Sequence, residues 1–267
     1  MSALCLTRVR EHFSCHAEEY DRFARVQKLV AARLVAEAWP LMGGGPVLDV
    51  GTGTGEVARC LRVRDAELPL VICDLAPGMT RHAATSLPGA LAADGDAQAL
   101  PFASGTFGAV LCASVYQWMN DLPEAFCEAG RVLAAEGLFA FALFGAGTLH
   151  ELRTSHRQAV AEVKGTEHSH VQEFPGREEV AAALGAGGLR VLRLWSEDEV
   201  EWHSSVAELL RALKKIGAQN ASDRRPPGLA SRQVMQRMND IYRARFSREG
   251  RIPATYEVIY GLARKGP

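Results

Sequence analysis

The sequence predicts an α/β protein, a doubly wound and mostly parallel sheet carrying helical insertions. Between residues 47 and 144, short apolar segments alternate with helical patterns, and a glycine-rich turn follows the first apolar segment. After Gly145 the rhythm changes, and longer helical patterns flank one long alternating segment.

The elements follow in order. Residues 22–38 place Phe23, Val26, Val30, Leu34 and Val35 at helical spacing. Trp39, Pro40 and the Gly43-Gly44-Gly45-Pro46 run end that helix, since proline offers no N–H to continue a turn. Val47-Leu48-Asp49-Val50 reads as a buried strand, and a glycine turn leads from it into a helix ending near residue 63. Residues 70–73 form a second strand, 77–86 a helix and 90–93 a weaker third strand. A fourth strand spans 107–113, a helix 122–133 and a fifth strand 138–144. Wholly apolar strands separated by helices suit a parallel sheet covered on both faces.

Beyond Gly145, helices are expected at 148–163 and 177–185. Leu189, Val191, Leu194, Val200 and Trp202 mark a long, partly exposed strand over 189–202. Helices near 205–216 and 231–246 are joined by a loop at 220–228, and a strand at 256–263 closes the chain. Strands on either side of the inserts share one core, so the expected organisation is a single domain over 1–267. The inserts, 146–175 and 203–250, are expected to cover one edge of the sheet as substrate or lid segments.

With 267 residues, 48% of them apolar and 23% charged, the chain is not disordered, collagen-like or coiled-coil. Its net charge of −1 offers no general attraction to nucleic acid or membrane, yet it hides an asymmetry. Residues 1–202 carry 17 basic against 26 acidic side chains, whereas 203–267 carry 13 against 5. The six cysteines form no C-x-x-C and no zinc spacing, so no metal is expected. Arg8, Arg10, Glu11 and His12 interrupt any signal-like start, and no apolar run approaches the roughly 18 residues of a membrane span. A reduced, cytoplasmic setting is the expectation.

The chemistry sits at the ends of the first strands. Val50 runs into Gly51-Thr52-Gly53-Thr54-Gly55, where alternate glycines let a ligand lie against the main chain. Asp74 ends the second strand, where a carboxylate accepts both hydroxyls of a ribose. Asp94-Gly95-Asp96-Ala97 follows the third, within reach of an adenine edge. No lysine follows the glycines to pair with a triphosphate, and the acidic residues favour a cationic ligand. The same glycines and aspartates also serve as turn and capping residues.

This constellation resembles the class I S-adenosylmethionine-dependent methyltransferases, most strongly over 45–145. The resemblance implies a seven-stranded Rossmann-like sheet whose last strand is antiparallel, with S-adenosyl-L-methionine as methyl donor and no metal. It implies cofactor contacts from Tyr20, Asp49, Gly51, Thr52, Gly53, Asp74, Leu75 and Met79, and from Gly95, Asp96, Ala97, Ala113 and Ser114.

Further runs are similar to the malonyl-ACP O-methyltransferases of biotin synthesis. They include Phe13-Ser14, Tyr20-Asp21 and Val26-Gln27 of an N-terminal helix, and Ser114-Val115-Tyr116-Gln117-Trp118. Thr148-Leu149 with Glu151-Leu152, His170-Val171-Gln172, Lys214-Lys215-Ile216-Gly217-Ala218 and Thr255-Tyr256 extend the likeness through the inserts. Departures are Thr52 for a commoner Cys, Gln172 for Asn, and Tyr116 where a small apolar residue is usual; Tyr116 is expected to narrow the pocket.

The resemblance implies methylation of the free carboxylate of a malonyl thioester on acyl carrier protein or coenzyme A. A carboxylate is ionised at pH 7, so no general base is needed. Residues 1–40 are then expected as a helical lid, with Tyr20, Gln117, Trp118 and His170 as catalytic candidates. Tyr20 and Trp118 also read as packing residues, and His170 as a loop residue without a site role. Arg153 and Lys214 are possible carboxylate anchors or simply solvated cations. The basic residues of 211–251, with Lys214, Lys215, Arg224, Arg225, Arg232, Arg243, Arg245 and Arg248 foremost, suit an acidic carrier protein. No nucleic acid or membrane partner is expected, and the chain is read as a monomer. The rival readings are a methyltransferase of another small carboxylate or natural product, and a non-catalytic cofactor-binding partner protein.

Overall fold

A computed structural model describes residues 4–165, 173–217 and 231–266, apart from the side chains of 16–18. Within these residues the strands are β1 (Val47–Val50), β2 (Leu70–Asp74), β3 (Leu91–Asp94), β4 (Phe107–Ala113), β5 (Leu133–Phe144), β6 (Leu189–His203) and β7 (Ile252–Lys265). They join in one sheet of order β3-β2-β1-β4-β5-β7-β6. β1 to β5 pair in parallel, and β7 lies antiparallel between β5 and β6. The reversal at the last strand agrees with the expected topology, and β5 and β7 are longer than their apolar cores suggested.

The helices are α1 (Leu6–Phe23), α2 (Arg25–Ala38), α3 (Glu56–Arg64), α4 (Pro77–Ser86), α5 (Leu122–Val132), α6 (His150–Lys164), α7 (Arg177–Ala186), α8 (Val206–Lys215) and α9 (Arg232–Phe246). Because side chains alternate across a strand, neighbours in β4 and β5 enter different cores. Ala109, Leu111, Leu138 and Ala140 join α2, α3, α6 and α9 on one face. Val110, Cys112, Phe139 and Phe141 join α5 and α7 on the other. β3 is the exposed edge, consistent with its weak pattern.

One sequence expectation is corrected. Residues 22–38 are not one helix, because α1 ends at Phe23 and α2 begins at Arg25. Ala24 (φ −82°, ψ 46°) leaves helical geometry while its N–H still donates to Tyr20 O at 2.9 Å. No glycine or proline precedes Pro40, so nothing local announces the break. Its consequence is positional: α2 packs on the sheet, and α1 turns away to cross the carboxyl ends of the strands. No helix among the described residues is long and apolar enough to cross a membrane.

Candidate cofactor and substrate cavity

The floor of the cavity is main chain held by strand ends. Gly51 N and Thr52 N both donate to Cys73 O, at 2.7 and 3.0 Å, tying the glycine loop to β2. Gly51 has φ +65°, and a Cβ there would sit 2.2 Å from a Val115 methyl, so only glycine fits. Gly53 N donates to Asp74 Oδ2 and Ala76 N to Asp74 Oδ1, both at 2.8 Å. Burial pushes Asp74 up to about 6, against the pull of these two N–H donors, and nearby Asp94 adds to the rise. Asp96 Oδ1 accepts from Gln98 N at 2.9 Å, closing the turn after β3.

The roof is side chain. α1 contributes Val9, Arg10, Phe13, Tyr20 and Asp21, and α2 contributes Gln27, Lys28 and Ala31. Phe13 lies 5.6 Å from Trp118, edge to face, and 6.4 Å from Tyr20. Asp21 clasps roof to floor: its Oδ1 accepts from Thr54 Oγ1 at 2.7 Å and pairs with Lys28 Nζ at 3.5 Å. At the other end Leu4 N donates to Asn120 Oδ1 and Asn120 Nδ2 to Leu4 O, at 2.8 and 3.0 Å. Lys215 Nζ donates to Glu19 Oε2 at 2.6 Å, joining α8 to α1. Burial, then the charges of Asp74 and Asp21, raise the pKa of the Tyr20 hydroxyl above its ordinary value.

Floor and roof border one cleft of about 940 Å³ of empty space, open solvent at its mouth included. Tyr20, Gly51, Thr52, Gly53, Asp74, Leu75, Met79, Gly95, Asp96, Ala97, Ala113 and Ser114 all border it. Asp49, expected at the cofactor, instead stands behind the floor, fully buried, its Oδ2 accepting from Thr52 Oγ1 at 2.7 Å. Burial pushes it up to about 7, and its hydrogen bond from Thr52 braces the loop from beneath.

The turn after β4 separates three neighbours. Trp118 borders the cavity. Gln117, expected to be catalytic, points into the protein: Nε2 donates to Ser114 O at 2.7 Å, and Oε1 accepts from Phe144 N at 3.4 Å. A single 3₁₀ turn over Tyr116–Trp118 places adjacent side chains in different directions, which sequence order alone does not reveal. Tyr116 does not narrow the cavity; it is buried against Phe126, Phe139 and Phe141, with centroids 5.0, 5.8 and 6.2 Å away. The Arg153 guanidinium donates to Ala146 O and does not border the cavity, and Lys214 is exposed on α8. His170, Gln172, Arg224 and Arg225 lie outside the described residues, as does the loop expected at 220–228.

Sequence reasoning assigned no role to Arg10, Gln27 or Lys28, all of which border the cavity. The available signal was a polar amide within the mainly apolar inner face of α2. The described lining holds no histidine or cysteine, and its lysine, Lys28, pairs with Asp21. Acidic acceptors below, aromatic rings above and free backbone beside a glycine loop suit a cationic, hydroxyl-bearing ligand.

Comparison with known proteins gives the same direction. A methyltransferase domain model matches residues 48–141, the strands and loops of the floor. A malonyl-acyl-carrier-protein O-methyltransferase of Geobacter sulfurreducens is 43% identical, over 97% of this chain and 98% of that one. Another, from Halorhodospira halophila, is 38% identical over 96% of this chain and 86% of its own. Among solved structures, a provisionally assigned methyltransferase of Bacillus halodurans superposes with a TM-score of 0.63 at 19% identity, covering 89% of this chain and 99% of that one.

Proposed function

The chain belongs to the malonyl-acyl-carrier-protein O-methyltransferases, S-adenosylmethionine-dependent enzymes on the class I fold, and from that premise we propose how its cavity works. The reaction is methylation of the free carboxylate of a malonyl thioester, an early step of biotin synthesis. The observation that carries the reading is one cavity with an acidic, glycine-lined floor and an aromatic roof, in a chain 43% identical to such an enzyme over nearly its full length.

The residues present fit the donor. Asp74 would offer carboxylate oxygens to ribose hydroxyls, Gly51 and Gly53 would let the amino-acid part lie against backbone, and Asp96 with Ala97 would hold the adenine. Ser114 Oγ, buried at the cavity wall, has no hydrogen-bond partner among the described residues. Bound S-adenosylmethionine supplies an electrophilic methyl on a sulfonium centre. Phe13, Tyr20 and Trp118 present ring faces and edges that accommodate that charge and keep water away. The substrate carboxylate arrives ionised, so the chain's task is to hold one oxygen in line with the methyl carbon. α1 acts as the lid that completes the enclosure; the inserts 146–175 and 203–250, expected as substrate or lid segments, place no described residue at the cavity, and α8 pairs with the lid through Lys215 and Glu19.

The acceptor is delivered by an acidic carrier protein onto the basic helices. Arg211 and Lys214 on α8, and Arg232, Arg243 and Arg248 on or beside α9, are exposed cations. Lys215 and Arg237 are engaged by Glu19 and Glu162 and serve the fold first. The protein works as a monomer in the cytoplasm. Purified protein incubated with methyl-labelled donor and malonyl-ACP, malonyl-CoA, trans-aconitate or transfer RNA tests the reading. Label appears as a base-labile ester on the malonyl thioesters; label only on another acceptor, or donor binding without transfer, overturns it.

A further inference from the structure

We propose that the Gln27 side-chain amide, together with the Trp118 indole N–H, holds the carboxylate that is methylated; this rests on the function proposed above. Five donor-bearing side chains of the roof and rim come into question, Arg10, Tyr20, Gln27, Lys28 and Trp118, of which Tyr20 is assigned above to the sulfonium. Lys28 is committed to Asp21 at 3.5 Å, and Asp21 is further held by Thr54. Arg10 is exposed at the rim. Gln27 borders the cavity one residue before Lys28, and its amide makes no hydrogen bond to any described residue. Trp118 is almost wholly enclosed at the same cavity, and its N–H likewise has no described acceptor. Two neutral donors that border one cavity, neither with an acceptor among the described residues, are open to an acceptor brought by the ligand.

The reaction explains why neutral donors are the better choice. A carboxylate oxygen forms a bond to the methyl carbon as the carbon–sulfur bond breaks, and the electron pair of that bond stays on sulfur. No proton moves, and an anion and a cation become a neutral ester and a neutral thioether. Charge therefore disappears on the way to the transition state. A fixed guanidinium or ammonium on the carboxylate would stabilise the ground state more than the transition state and slow the transfer. A carboxamide and an indole N–H orient the anion with far less of that penalty. The same argument counts against Arg153 and Lys214 as anchors.

The experiment compares Gln27→Ala, Gln27→Arg and Trp118→Phe with the wild type, measuring steady-state kinetics on malonyl-ACP and calorimetric affinity for S-adenosylhomocysteine. Gln27→Ala lowers kcat/KM about ten- to a hundredfold, the loss of a hydrogen bond to a charged group, with the product affinity within about twofold. Gln27→Arg lowers KM and lowers kcat, a split that a merely structural residue would not produce. Trp118→Phe keeps the ring and lowers kcat/KM about three- to tenfold. The assignment is overturned if active wild type is matched by Gln27→Ala, if the product affinity falls in parallel with turnover, or if Gln27→Arg raises kcat. Retained product affinity certifies the fold of each variant; should Gln27→Ala not fold, Gln27→Arg and Trp118→Phe decide. Wild type that makes no methyl ester overturns the proposed function itself, a result separable from all of these.

Discussion

The floor of the cavity and its roof are built from different material. The floor is main chain: Gly51, Thr52 and Gly53 hang on Cys73 and Asp74, and the only room for a side chain at Gly51 is taken by Val115. The roof is side chain on helices: Phe13, Tyr20 and Gln27 overlie the cavity and are held by a few polar clasps, Asp21 with Thr54 and Lys215 with Glu19. In the function proposed above, the floor of strand-end backbone takes the part that every methyl donor of this kind presents. The roof of side chains can be exchanged without disturbing the sheet; its rings face the sulfonium, and Gln27 carries the proposed contact to the acceptor. Changes below should therefore cost donor binding and stability, and changes above should cost acceptor turnover.

The sharpest way to break that division is Asp74→Ala. It removes the acceptor of two backbone N–H groups, Gly53 and Ala76, together with the carboxylate proposed to accept the ribose hydroxyls. Affinity for S-adenosylhomocysteine should fall by about a hundredfold or more, on the order of 3 kcal/mol, by calorimetry. An affinity unchanged in this variant would detach the floor from donor binding altogether. Gly51→Ala tests rigidity: the added Cβ meets Val115 at 2.2 Å in a left-handed backbone, so about 2–4 kcal/mol of stability should be lost in denaturant unfolding. A loss below about 1 kcal/mol would mean that the loop yields, and that the floor is no stiffer than the roof.

The two regions also differ in how much the sequence disclosed. Floor residues lie within a few positions of strand ends, so the glycine run, Asp74 and the Asp94-Gly95-Asp96 turn could be placed by counting. Roof residues reach the cavity only because the chain turns at Ala24, an alanine with no turn chemistry. Reading 22–38 as one helix left Gln27 without a direction, and no local rule distinguishes Gln117 from Trp118 inside one 3₁₀ turn. Asp49 shows the complementary limit. Its place in the motif was legible, but its enclosure behind Thr52 depends on how β1 is covered on both faces.

Titration of the floor supplies a smaller and signed effect. Asp74 is raised to about 6 in the folded protein, above its unfolded value near 3.9. The folded state therefore binds the proton more tightly, and the stability tied to this group is present at low pH and lost as pH rises from about 4 to about 6. Donor affinity should run the other way, because in the proposed site it is the ionised form that accepts the ribose hydroxyls and attracts the sulfonium. Between pH 5.5 and 7.5 the ionised fraction goes from about a quarter to nearly all, so affinity for S-adenosylmethionine should rise about fourfold. In Asp74→Asn that rise should flatten, while the variant's stability relative to wild type improves as pH rises from about 4 to about 6. A rise that survives in Asp74→Asn would assign the titration to another group.

The smallest effect expected lies farthest from the floor. Arg211→Glu with Lys214→Glu reverses two exposed charges on α8 and touches neither cavity wall. Exposed charges act through steering, so kcat/KM on malonyl-ACP should fall about three- to tenfold at low ionic strength and converge on wild type as salt is raised. On malonyl-CoA, which brings no protein surface, the double variant should match wild type at every salt concentration. An equal loss on both acceptors would mean that the substitutions disturb the roof through Lys215 and Glu19 instead of the docking of a carrier. The difference between the two acceptors thus separates a surface that recruits from a wall that reacts, the distinction already drawn between roof and floor carried one layer further out.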